Sequence, residues 1–334
     1  MARIPSYQEL RDTPAQGTPP GSSWGVFGAD DQLGSLNFIE PLKRVQAAGL
    51  VRRGAVFNLD YPVNTFSPFP SGAREDAVHT IFQNNSNHRD EVIDRYYTQS
   101  SSQIDGLRHI RNPRYGFYGA VPDEEIVEGT AALGIQYWAE SSIITRGVLV
   151  DVERSRRNDG RPIQQTTADP ISVNDLKAAL TAQAVRLEPG DALLVRTGWS
   201  AHFLAAPMDE RQGLIGNLRS PGLEQSHEMV EFLWDNGISI VAADNIALEV
   251  MPPLDTSPFR YTDDDQKTSR GVSNGGMMHR ALIPLLGYAI GELWALDQLA
   301  SDCAADGLYD FMLVAKPMNL VGGVGTPANA VAIK

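Results

Sequence analysis

The sequence predicts a mixed α/β fold, and three observations carry that reading. Residues 147–152, 192–197 and 238–243 are short apolar runs rich in branched side chains, the pattern of buried strands. Stretches of helical period, 176–185 and 223–234, precede the second and third of these runs. A composition of 42% hydrophobic and 21% charged residues is that of an ordinary globular chain.

With 334 residues the chain slightly exceeds the roughly 250–300 that one hydrophobic core usually serves. The expected organisation is therefore an N-terminal arm and helix, residues 1–54, packed on one large domain, residues 55–334. The first 25 residues are rich in Pro, Gly, Ser and Thr and should run irregularly until Trp24 anchors them. Asp30 and Asp31 beside Gly28 and Gly34 fit turn chemistry, although by type they are also potential metal ligands. A helix follows, with Pro41 in its first turn and Gly49 at its end.

Residues 55–61 alternate as a half-buried strand does. Pro62, Pro68, Pro70 and Gly72 then break the chain into a long irregular region running through His88. Loops of this length often form lids or binding walls. His79 within it is either a substrate-contacting imidazole or a satisfied histidine on a strand edge.

The run from Tyr96 to Ile110, YYTQSSSQIDGLRHI, holds the densest chemistry. Gln99, Gln103, Asp105 and His109 follow one another at spacings of four, two and four. Residues two apart on an extended segment share a face, so Gln103 and Asp105 should project together, with His109 brought back by a loop. The set either grips a metal or braces the loop as a buried hydrogen-bond network. A carboxamide is a weak neutral oxygen donor, which would suit an ion harder than zinc. Tyr115, Phe117 and Tyr118 follow closely and could wall a pocket for a flat or apolar substrate, or serve packing. Arg108, Arg111 and Arg114 could pair with a substrate carboxylate.

In the second half, Ser172 with Asp175 marks a helix N-terminus, and Pro189-Gly190 a turn into the next strand. Pro221-Gly222 and Gly237 bracket the helix 223–234. At the end of strand 238–243 sits DNIALE, and sites in α/β folds gather at strand ends. Asp244, Asn245 and Glu249 are candidates there, or else cap a helix and charge the surface. A linker over 255–276 leads to His279, and Glu292 follows thirteen residues later. Together with Asp105 they make a plausible imidazole and carboxylate metal set. The closing segment reads as strand, Gly-rich turn over Gly322, Gly323 and Gly325, and strand; Pro327 interrupts any nucleotide fingerprint.

Other classes fall away on composition. A net charge of −13 argues against a nucleic-acid partner. No stretch approaches a membrane span, and MARIPSYQEL lacks the apolar core of a signal peptide, so a cytoplasmic protein is expected. Cys303, the single cysteine, excludes an intrachain disulfide and a thiolate cluster. The serines at 100–102 and Ser200 lack the nucleophile-elbow pattern.

The run 96–110 resembles the HxGTHxDxxxH signature of the cyclase family of metal-dependent amide and lactone hydrolases, which includes kynurenine formamidases and isatin hydrolases. The two leading histidines fall on Gln99 and Gln103, the aspartate on Asp105 and the last histidine on His109. WGVFGADDQLGSLNF, RGVLVDV, GDALLVRTGW, ADNIALEV and GGVGTPANAVAIK extend the resemblance over nearly the whole chain. It looks most like the longer bacterial branch, in which glutamine also stands at the Gln103 position.

This resemblance implies a compact mixed α/β fold with a central β-barrel-like sheet flanked by helices, assembled as homodimers or homotetramers. It implies one divalent ion, manganese or zinc, on Asp105, His279 and Glu292, with Gln103 and Gln99 as additional oxygen ligands. His109 matches the catalytic acid/base position. The implied activity is hydrolysis of a C–N bond in a cyclic or aryl amide, or of a lactone, on a small-molecule substrate contacted by the candidates Tyr115, Phe117, Tyr118, His79 and Asn245. The rivals are a metal-free lyase or cyclase using His109 and Asp105, and a small-molecule binding protein without catalysis.

Overall fold

The computed structural model describes residues 3–261 and 274–334. Along them run strands β1 (Val56–Asn58), β2 (Val78–Asn85), β3 (His88–Asp94), β4 (Gln103–Asp105), β5 (Ile143–Asp151), β6 (Pro170–Ile171) and β7 (Ala192–Arg196). They continue with β8 (Gly222–Leu223), β9 (Ile240–Ala243), β10 (Ala289–Glu292), β11 (Asp310–Ala315), β12 (Gly325–Pro327) and β13 (Ala330–Ile333). Nine of these form one sheet in the order β1-β13-β11-β5-β7-β9-β10-β4-β12, curled into a half-barrel with helices on its flanks.

The middle of the sheet, β5-β7-β9-β10, is parallel, and the pairings to either side of it are antiparallel. Parallel strands covered on both faces need continuous apolar runs, and that is what 192–195 and 240–243 supply. Successive side chains then serve opposite layers. Val148, Val150, Leu193, Val195 and Val241 pack in one core with the helices Val173–Ala182 and His227–Asp235. Leu149, Leu194 and Ala242 pack in the other with Trp138, Trp294 and Phe311.

Local signals place the helices. Pro41 opens Pro41–Ala48 and Gly49 closes it, while Ser172 and Asp175 form a reciprocal capping box on Val173–Ala182. The helix expected over 223–234 starts later, at His227. Ser226 supplies its N-cap, accepting from Met229 N at 3.1 Å, and Leu223 instead lies in β8, its N–H donating to Leu248 O at 3.0 Å.

The N-terminal residues are tied along their length to later parts of the chain. Tyr7 N donates to Asp235 Oδ1 at 2.7 Å, Trp234 Nε1 to Pro5 O at 2.8 Å and Trp24 Nε1 to Pro284 O at 2.8 Å. Asp31 shapes its loop, accepting from Leu33 N, Gly34 N and Asn37 Nδ2. The irregular region expected through His88 contains a hairpin instead, β2 paired with β3, exposed on both faces. Most of the linker expected over 255–276 lies outside the described residues. Among the described residues no helix is long and apolar enough to cross a membrane.

Candidate metal centre

Strand pairing assembles the site. In the antiparallel β4–β10 ladder Glu292 stands opposite Gln103 and Ile290 opposite Asp105, so both polar residues of β4 reach the end of β10. Asp105 also faces Gly325 on β12. A Cβ at Gly325 would come within 2.9 Å of Gln99 Cδ and 3.0 Å of Ile104 O, so glycine here lets Gln99 lie down over the sheet. His279 begins the short helix His279–Leu282 and points back at the same spot.

Asp105, His279 and Glu292 are buried, and one ligating atom from each lies within 4.8 Å of the others. His279 Nε2 is 3.3 Å from Glu292 Oε1 and 3.8 Å from Asp105 Oδ2. Its other nitrogen, Nδ1, is 2.5 Å from Oε1 of the buried Glu249. That carboxylate also accepts the backbone N–H of Met278 at 2.6 Å and of His279 at 3.0 Å. A carboxylate behind an imidazole fixes the ring so that its far nitrogen faces the centre, as metal-binding histidines require. Two carboxylate oxygens and one imidazole nitrogen, buried and convergent, fit a divalent cation.

The protonation pattern follows from this crowding. Burial favours the neutral acid at Asp105, but His109, His279 and Arg74 outweigh it and hold the carboxyl below the usual range. Burial and the nearby Asp105 push Glu292 up to about 7. Burial also opposes a charge on His279, yet its bonds to Asp105, Glu249 and Glu292 prevail and raise it well above the ordinary imidazole value. His109 moves the other way, lowered chiefly by burial.

Gln99 and Gln103 have a different role from the oxygen ligands expected. Arg74 can only donate, and its Nη1 lies 3.4 Å from the Gln103 side-chain oxygen, which turns Gln103 Nε2 toward Glu292 Oε2 at 2.5 Å. Gln99 likewise presents its amide nitrogen to Asp105 Oδ1 and, at 3.1 Å, to His109 Nδ1. Both amides therefore donate to the cluster and orient its carboxylates. With Nδ1 accepting, a neutral His109 carries its proton on Nε2, 3.7 Å from Asp105 Oδ2.

Beside the centre opens a cavity of about 280 Å³, whose walls include His109, His279, Glu292, Arg74 and Asn274. Phe69, Ile110, Ile246, Met251 and Met277 make it largely apolar. The substrate-contact candidates lie elsewhere. Tyr118 is buried in the core, donating to Asp31 Oδ2 at 2.8 Å, and Phe117 packs on the same core. Tyr115 sits in the 112–116 turn, whose backbone Asn112 closes. His79 stands on the exposed hairpin, 2.7 Å from Glu91. Asn245 is buried, its amide bracing Pro221 O and Leu248 O, while its neighbours Ile246 and Ala247 line the cavity.

The arginines expected near a substrate are otherwise engaged. Arg108 is clamped on Val127 O, Thr130 O and Gly322 O, Arg111 pairs with Asp123 and Arg114 lies over the Tyr261 ring. Asp244 is an internal brace, accepting from Thr197 and Gly198. No sequence signal marks Arg74, which sits in a Pro- and Gly-broken segment with no period to place it. Glu249 was visible only as one of three polar residues after a strand.

A crystal structure described as that of a novel cyclase superposes with a TM-score of 0.78 at 32% identity, covering 94% of this chain and 99% of that one. Isatin hydrolase A from Labrenzia aggregata, bound to benzyl benzoate, shares the fold at a TM-score of 0.52 and 16% identity, covering 88% of this chain and 98% of that one. A deoxyuridine 5'-triphosphate nucleotidohydrolase of Hahella chejuensis is 31% identical over 148 residues, which is 39% of this chain and 95% of that protein. That similarity leaves most of the chain unaccounted for, whereas the cyclase structure spans nearly all of it. The Cyclase family model matches residues 55–250, taking in the Gln99 to His109 run and Glu249. With the family match and the near full-length cyclase superposition agreeing, the chain belongs to the cyclase family.

Proposed function

We propose that this protein is a metal-dependent hydrolase of small molecules, cleaving the C–N bond of a cyclic or aryl amide, with a lactone ester as the second substrate class. One observation carries the reading. Asp105, His279 and Glu292, from three separate parts of the chain, converge beside an apolar cavity that also receives an imidazole.

These three side chains would hold the ion, manganese or zinc by donor type. A divalent cation there supplies Lewis acidity, polarising a carbonyl and acidifying water. The rest is done by the chain. Glu249 holds the His279 ring in one orientation, and Gln103 and Gln99 hold the two carboxylates in theirs. The apolar walls exclude bulk water and accept the hydrophobic part of the substrate. His109, about a quarter exposed and lining the cavity, keeps a proton at Nε2 for the departing nitrogen or oxygen. We also take the working form to be a homodimer or homotetramer, which the exposed hairpin favours.

Metal analysis and turnover test the reading. Purified protein should bind manganese or zinc stoichiometrically and hydrolyse members of a panel of aryl amides, cyclic amides and lactones. His109→Ala should lose roughly 100- to 10,000-fold in turnover while keeping its metal. Activity with no bound or activating divalent ion would favour metal-free acid/base chemistry instead. Binding without turnover in any of the panel would make the chain a binding protein.

A further inference from the structure

The cavity contains a guanidinium whose field reaches Asp105 and Glu292 but which is in direct contact with neither. Nη1 of Arg74 donates to two neutral acceptors, Gln99 O and the Gln103 side-chain oxygen. Among the described residues no carboxylate pairs with Arg74, and none accepts a hydrogen bond from its Nε or Nη2. The guanidinium rests 4.8 Å from the centroid of the Phe69 ring, and both side chains line the cavity. The acidic groups of the centre, by contrast, are each met by hydrogen-bond donors: Asp105 by Gln99, Glu292 by Gln103 and Glu249 by His279.

A guanidinium with unused donors in an apolar cavity matches a planar anion, because its fork offers two parallel N–H bonds to a carboxylate. We infer that Arg74 is the specificity-determining residue of this site and that the substrate is an apolar, ring-sized molecule bearing a carboxylate or similar acid group. The inference rests on the hydrolase reading only for the word substrate. Gln103 bridges Arg74 and Glu292, which puts the guanidinium next to the metal centre. A larger cleft of about 840 Å³ between the N-terminal residues and helix Pro41–Ala48 offers no equivalent group, since its exposed Arg3 is paired with Glu9 at 2.6 Å. Its buried Lys43 is already paired with Asp191 at 2.6 Å and Glu188 at 3.0 Å.

Benzoate and benzamide are probes of equal shape that differ in charge. Calorimetric titration of the wild type, with and without manganese, should give roughly 10- to 100-fold tighter binding of benzoate, the range of a charge-assisted pair. Arg74→Met should bring that ratio near one. Arg74→Lys, which keeps the charge without the fork, should fall between. A wild type without anion preference, or a methionine variant that retains it, overturns the proposal. If the preference is present and lost as stated, yet no amide or lactone is turned over, the hydrolase reading fails and the anion site stands.

Discussion

Glu249 Oε1 lies 2.5 Å from Nδ1 of His279, and the same carboxylate accepts two backbone N–H groups at the start of the His279 helix. Glu249 therefore fixes both where the helix begins and which ring nitrogen faces Asp105 and Glu292. Glu249→Gln keeps the size and some of the hydrogen bonding but removes the charge behind the imidazole. Manganese affinity measured by calorimetry should fall about 10- to 100-fold, the usual consequence of losing such a partner. An unchanged affinity would mean that the ring is oriented by packing alone.

The sheet has its own test at Gly147. This residue stands opposite Phe311 in the β5–β11 pairing, and a Cβ on it would come within 2.3 Å of the Phe311 ring. Both lie in the buried centre of the sheet, where neighbours have little room to yield. Gly147→Ala should lower the unfolding free energy by roughly 1–3 kcal/mol, as overpacking of a full core does. Denaturant midpoints at constant slope would measure it, and a neutral result would show that the ring swings aside freely.

Asp60 gives stability a pH dependence. Its Oδ2 accepts from Ala330 N at 2.9 Å while Oδ1 is buried without a partner, and burial pushes the carboxyl up to about 6. An acid whose pKa is raised in the folded state binds protons more tightly folded than unfolded. Its favourable contribution is full below about pH 4 and is lost as the pH climbs through 6. Asp60→Asn can still accept from Ala330 N and carries no charge to desolvate. It should stabilise the protein at pH 8 by about 1–2 kcal/mol, less than the roughly 3 that two pKa units would give because the residue is partly exposed. At pH 4 the gain should vanish. A pH-independent difference between the two proteins would contradict the assignment.

How far the sequence foretold this arrangement depended on the length scale of each signal. The strands over 192–197 and 238–243 and the helix after Ser172 were legible because burial on both faces, or on one helical stripe, writes a continuous or periodic pattern. Asp105, His279 and Glu292 were legible as residue types suited to a metal, and their meeting is a matter of β4–β10 pairing that no local pattern records. From local sequence a carboxamide reads as an oxygen donor, because Arg74, which turns Gln103 around, is 29 residues away in sequence. Tyr118 looked like a pocket wall because an aromatic beside glycines reads alike whether it faces a ligand or Asp31. The β2–β3 hairpin was unreadable for a related reason: apolar and polar side chains stand on both its faces, so no alternation marks it.

That hairpin supplies the last test. Ile81 is 62% exposed and Phe82 44%, and on the paired strand Val92, opposite Thr80, and Ile93, opposite His79, are exposed as well. A lone two-stranded hairpin is marginally stable in water, and burying these side chains would add the cover it lacks. In the proposed homo-oligomer a second copy provides that cover; Phe69, Ser71, Ala73 and Arg74, just before the hairpin, line the cavity and Arg74 donates to Gln99 just after it, so assembly would also steady the site. Light scattering coupled to size exclusion should show a dimer or tetramer for the wild type. The double substitution Ile81→Asp with Phe82→Asp should shift it to monomer while leaving the main domain's thermal transition in place. It should also speed amide exchange in residues 78–94 by at least tenfold. A monomeric wild type, or an assembly indifferent to both charges, would sink the idea that the hairpin is an interface.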